Sequence, residues 1–148
     1  MAIKKRCTIA ISESCTGGLV GSRITNVPGS SRVFMGGVIA YSNHIKTKLL
    51  DVKIDTLETR GSVSNETAKE MAVMTLEKFK VNYAVSITGI AGPDGGSKKK
   101  PVGLVYIGIA NKEDVYVKKY QFRGDRDSIK LRTSQAALNM IRIALNNE

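Results

Sequence analysis

Few side chains in this sequence could supply a nucleophile together with the base that activates it. The one histidine, His44, sits in no triad context, and no GxSxG turn is present. The two cysteines, Cys7 and Cys15, are too few for a disulfide framework and, with a single histidine, give no zinc-ligand spacing. Serine paired with lysine is the economical arrangement that remains. The stretch PGSSRVFMGGVIAYSNHIK, residues 28 to 46, places a serine pair, Tyr41 and Lys46 on either side of one strand-like run. A lysine acts as a base only when burial or neighbouring positive charge brings its pKa towards neutrality. Lys46 stands just past the strand exit, with Tyr41 able to hydrogen-bond in the same cluster. Spacing alone fits an ion-paired surface lysine at least as well, and it leaves the partner serine open.

Two further polar, glycine-bearing segments stand at strand ends, SESCTGG at 12–18 and TGIAGPDGG at 88–96. Loops at the carboxyl ends of strands in α/β sheets converge on ligands, so three such loops say more than any one. SESCTGG offers Ser14, Thr16 and the backbone amides of Thr16, Gly17 and Gly18 at a helix start, a natural place for an anion. It lacks the GK[ST] ending of a phosphate-binding Walker loop. Ser12 serves equally well as an ordinary helix cap. In the second segment Thr88 and Gly89 stand at the strand exit, and Asp94, with no other clustered carboxylates or histidines, fits a turn cap better than a metal ligand. Glycines in both loops also suit tight turns.

The elements that must position these residues follow from periodicity. CTIAIS, 7–12, reads as a strand, and Leu19, Val20 and Ile24 recur at helical spacing after it. GGVIAYS is a strand and NHIKTKLL a short helix. Ser64 caps a helix whose apolar face runs through Ala68, Met71, Ala72, Thr75, Leu76 and Phe79. YAVSIT at 83–88, VGLVYIGIA and DVYVKKYQF are strands, the last two antiparallel neighbours. Asp127 is the expected cap of a last helix with Ile129, Ala136, Ala137, Met140, Ile141, Ala144 and Leu145 inward. Strands interleaved with helices predict the α/β class, a single layered α/β/α domain with a mixed β-sheet over residues 1–148.

A charge of +10 invites a nucleic-acid partner. Yet the runs at 4–6, 98–100 and 118–119 are short and scattered, and aromatic residues make up only 5% of the chain, poor for base stacking. Each run reads as a solvated surface. No window approaches the ~20 apolar residues of a membrane span, and the start lacks the pattern of a secretory signal, so the cytoplasm is the expected location.

ESCTGG at 13–18, PGSSRVF at 28–34, GGVIAYSNHIK at 36–46, GSVSNETAKEMA at 61–72, SITGIAGPDGG at 86–96, KPVGLVYI at 100–107 and FRGDR at 122–126 together resemble the CinA C-terminal domain family. Their order and spacing match across nearly the whole chain. The resemblance implies an amidohydrolase that converts nicotinamide mononucleotide to nicotinic acid mononucleotide and ammonia, with no metal or other cofactor. It implies Ser31 as nucleophile, Lys46 as its base across the strand, and Tyr41 as catalytic helper. Ser14 becomes a binding residue, with Thr16 and Gly17 in the same loop; Thr88, with Gly89 beside it, contacts substrate, and Arg126 completes the substrate site. It also implies a homo-oligomer, a dimer or larger. The alternative is a nucleotide-binding or regulatory domain without activity. Three departures stand out: little chain before the first strand for the usual helix, His44 where an acidic residue is common, and no larger nucleotide-processing domain, whose metal-dependent chemistry is therefore not carried over.

Overall fold

The computed structural model describes residues 1–147. Its sheet has five strands, β1 (Ile9–Glu13), β2 (Phe34–Ile39), β3 (Tyr83–Gly89), β4 (Leu104–Ala110) and β5 (Val115–Gln121), in the order β2-β1-β3-β4-β5. The first three are parallel, and β4 and β5 continue the sheet antiparallel, so the sheet is mixed as expected. Every residue of β1 is buried and β3 is buried up to its last residue, because both have neighbours on two edges and helices on two faces. β5 at the rim is largely exposed and carries Lys118 and Lys119, charges that discourage edge-to-edge pairing.

From β1 the chain goes outward to β2 and then returns past β1 to β3; crossovers of the usual right hand in opposite directions put their helices on opposite faces. On one face α2 (Leu19–Thr25) packs against α6 (Arg126–Asn146), and Arg23 joins them by donating to Ser134 Oγ at 2.7 Å. Val20, Ile129, Ala137, Met140, Ile141 and Leu145 bury there against Ile9, Ile11, Val85 and Ile87 of the sheet. On the other face lie α3 (Asn43–Leu50), α4 (Ile54–Thr59) and α5 (Asn65–Phe79), with Leu50, Val52 and Met71 in a second apolar cluster. A short α1 (Ala2–Lys5) precedes the sheet.

Helix α5 starts where Ser64 Oγ accepts from the Thr67 N–H at 3.1 Å. It lies so close to the sheet that Ser86 Oγ donates to the Ala68 carbonyl at 2.6 Å, and a Cβ on Gly108 would come within 2.9 Å of that same oxygen. The cap of α6 is Asp125, which accepts from the Ser128 N–H at 2.8 Å, and not Asp127, which lies inside the first turn. Helix α4 carried no periodic signal, being only six residues long. Register places Glu13 beside Ile39 on one side and Ile87 on the other, so the exits of β1, β2 and β3 share one level of the sheet. That level, where the chain order reverses about β1, is where ligands bind in open α/β sheets.

Candidate active site

Beyond those exits lies a cleft of about 420 Å³, within the ~300–1,000 Å³ usual for small-molecule sites. Ser14 and Cys15 enter it just after β1, Tyr41 from the β2–α3 turn, Lys46 from the first turn of α3, and Thr88 and Gly89 from β3. Arg126 at the start of α6 and the loop at residues 61–63 close its sides.

Lys46 sits in the first turn of α3, which Ser42 caps by accepting from the Ile45 N–H at 3.2 Å. This points Lys46 inward: it is 1% exposed. Its Nζ lies 3.1 Å from Ser14 Oγ and 3.2 Å from the Tyr41 carbonyl. No carboxylate pairs with it among the described residues. A buried ammonium without a counter-ion is unfavourable, so burial lowers the pKa of Lys46, opposed in part by the neighbouring Cys15. A neutral amine at this distance can accept the Ser14 proton; a charged one donates to Ser14 and holds it in place. Cys15, 7% exposed, is the competing nucleophile by position, but burial pushes its thiol up to about 12, so it stays protonated at neutral pH.

Glu13 explains a feature that sequence reasoning misread. Its carboxylate, 1% exposed, accepts from the backbone N–H groups of Gly18 at 3.1 Å, Val20 at 3.2 Å and Gly21 at 2.9 Å. The start of α2 is thus capped from within, and its amides are not free for a substrate anion. Thr16 is buried, and Gly17 is exposed in a left-handed turn; neither lines the cleft. Of the expected binding residues in SESCTGG, the cleft therefore takes Ser14 alone.

Thr88, 1% exposed, donates its hydroxyl proton to the Ser62 carbonyl at 2.6 Å, which ties β3 to the 61–63 loop and leaves only hydroxyl lone pairs for a ligand. Gly89 must be glycine, since a Cβ would meet Val105 at 2.6 Å and the Leu104 carbonyl at 2.9 Å. The Arg126 guanidinium donates to the Gly92 carbonyl at 2.5 Å and to the Tyr41 hydroxyl at 3.2 Å, joining two elements 85 residues apart. Tyr41 keeps its own phenolic proton for a ligand. His44 is exposed and faces a separate hollow beside Thr47 and Leu57, away from the Lys46 amine.

The model for the CinA C-terminal domain matches residues 1–145. The chain belongs to this family. A competence-damage inducible protein of a Thermoanaerobacter species (strain X514) is 52% identical over 139 residues, covering 94% of this chain and 34% of the relative. One from Clostridioides difficile is 50% identical over 145 residues, 98% of this chain and 35% of the relative. The CinA domain described here thus spans about a third of the length of the curated relatives it matches. Among solved structures, a competence/damage inducible protein of Agrobacterium tumefaciens is 40% identical with a TM-score of 0.95, covering 98% of this chain and 88% of the other. A CinA superfamily protein of Escherichia coli is 28% identical with a TM-score of 0.91, over 95% and 81% of the two chains.

Within this CinA domain the expected pairing of Ser31 with Lys46 does not form in one chain. Ser31 is exposed in a 3-10 turn, Ser30–Arg32, that leads into the amino end of β2, whereas Lys46 follows its carboxyl end. Six strand residues at ~3.3 Å each put about 20 Å between those ends, and a strand cannot fold back on itself. Gly29, which opens the turn holding Ser31, would carry a Cβ within 3.5 Å of Ile3, at the opposite rim of the sheet from the cleft. Ser62 and Lys100 line the cleft without having been singled out for it, and Asp94, read from sequence as a turn cap, lines it too. The quoted motif GSVSNETAKEMA carried the first of these, and only the fold reveals which of its residues faces inward.

Proposed function

We propose that this CinA domain hydrolyses the carboxamide of nicotinamide mononucleotide, giving nicotinic acid mononucleotide and ammonia, with Ser14 as nucleophile and Lys46 as its base. The observation that carries this reading is the 3.1 Å approach of the buried Lys46 Nζ to Ser14 Oγ, in a cleft at the sheet's switch point. Neutral Lys46 takes the Ser14 proton as Oγ attacks the carboxamide carbon. The tetrahedral intermediate collapses, the C–N bond breaks, and protonated Lys46 hands its proton to the departing ammonia. Water, deprotonated by Lys46, then attacks the ester on Ser14; the acyl C–Oγ bond breaks, Lys46 returns the proton to Ser14 Oγ, and the acid is released. Thr88, which lines the cleft with its hydroxyl proton already donated, suits the amide N–H₂ as an acceptor, and Arg126 supplies positive charge for the substrate phosphate.

The test is ammonia release from nicotinamide mononucleotide after EDTA treatment. Ser14→Ala and Lys46→Met are each expected to lose at least about 10³-fold in kcat/KM while remaining folded, in line with losses on removing a nucleophile or its base elsewhere. Ser31→Ala is expected to keep activity within a fewfold. Wild-type-like turnover in Ser14→Ala would overturn the assignment. Nucleotide binding without ammonia release would instead favour a regulatory module, a role compatible with the threefold greater length of the relatives.

A further inference from the structure

The run Lys98–Lys99–Lys100 reads in sequence as a solvated surface, and Lys98 and Lys99 are indeed exposed. Lys100 differs. Its backbone closes a turn with Ser97: the Lys100 N–H donates to Ser97 Oγ at 3.1 Å, and the Lys100 carbonyl accepts from the Ser97 N–H at 2.8 Å. Its ammonium donates to the Arg60 carbonyl at 2.5 Å, just past the end of α4. There it lies over Gly61, where a Cβ would come within 2.8 Å of Nζ, and Gly61 holds a positive φ of 84°. Both ends of this side chain are thus fixed, with its head on the cleft wall.

The electrostatics of the cleft are one-sided. Lys46, Lys100 and Arg126 line it against a single carboxylate, Asp94, and none of the four forms an ion pair among the described residues. The Arg126 and Lys100 heads are both held by backbone carbonyls, which orient a cation without cancelling its charge. An ammonium donates three hydrogen bonds, and one of Lys100's is used by the protein. Such a fixed, uncompensated pair matches a ligand bearing a phosphomonoester better than its neutral counterpart.

Resting on the amidase reading above, we propose that Lys100 reads the substrate's phosphate together with Arg126, setting preference for the phosphorylated nucleotide over its dephosphorylated form. Ribose 5-phosphate carries that phosphate without the carboxamide, so its binding reports on Lys100 whether or not the amidase reading holds. Calorimetric titration of wild type, Lys100→Met and Lys100→Arg, each checked for an unchanged melting profile, is the experiment. Affinity is expected to fall at least tenfold in Lys100→Met, to return largely in Lys100→Arg, and in wild type to weaken as salt rises. Equal affinity in wild type and Lys100→Met would overturn the proposal. Failure of the amidase reading would appear separately, as absence of ammonia release from the mononucleotide by wild type.

Discussion

In the proposed reaction Lys46 is the base, and its surroundings govern its protonation. Its ordinary pKa is 10.5, and burial without a counter-ion lowers it. A base must be unprotonated, so kcat/KM should rise with pH through an ionisation below 10.5, a limb read from the pH–rate profile. The same shift has a consequence for stability with a definite sign. Between the lowered value and 10.5 the unfolded chain holds a proton on this lysine that the folded one does not, so stability rises with pH across that window. Lys46→Met should abolish this dependence and melt higher than wild type at neutral pH, with the advantage shrinking as pH approaches 10.5. A lysine past a strand exit was visible in the sequence; its burial was not, because that depends on which turn of α3 faces the sheet. The serine beside it was hidden for a similar reason. Ser31 and Lys46 flank one strand in sequence, and it is this strand that holds them apart, whereas Ser14 comes from the adjacent parallel strand, 32 residues away.

At the scale of elements, the cleft depends on how tightly α5 lies on the sheet. Gly108 on β4 faces Ala68, Ala72 and Ser86, and a Cβ there would come within 2.6 Å of Ser86 Oγ and 2.9 Å of the Ala68 carbonyl. Gly108→Ala should therefore cost about 1–3 kcal/mol in urea unfolding, an overpacking penalty. An unchanged midpoint would mean that α5 shifts freely over β4. Strands β1 and β3, the long helices and the polar glycine loops were legible because their apolar periods and turn residues are local signals. Glu13 was not: a glutamate at a strand end reads as solvated, and its burial rests on three amides five to eight residues further on. The Asp125 cap was missed by two positions, since Asp125 and Asp127 are equally good caps by residue type and the backbone selects one.

For the whole molecule, the sheet order β2-β1-β3 together with the start of α6 gathers Ser14, the Tyr41–Lys46 stretch, Thr88 and Arg126 from four distant segments into one cleft. The α/β class and mixed sheet followed from the alternation of elements, and convergence of the three loops followed from that class. The lining of the cleft and the anchoring of Lys100 did not, because they arise from contacts between segments far apart in the chain. The +10 charge gains a local meaning in this frame: part of it lines the cleft, while Lys118 and Lys119 guard the sheet's β5 edge.

The central claim is that the acyl group passes through Ser14. Acid quenching during steady-state turnover of nicotinamide mononucleotide, followed by tryptic digestion and mass spectrometry, tests it most directly. Arg6, Arg23 and Arg32 bound the relevant peptides, so Ser14 lies in residues 7–23 and Ser31 in residues 24–32. The account predicts an ester adduct on Ser14 in the first peptide, absent from Ser14→Ala. An adduct on Ser31 in the second peptide would contradict it.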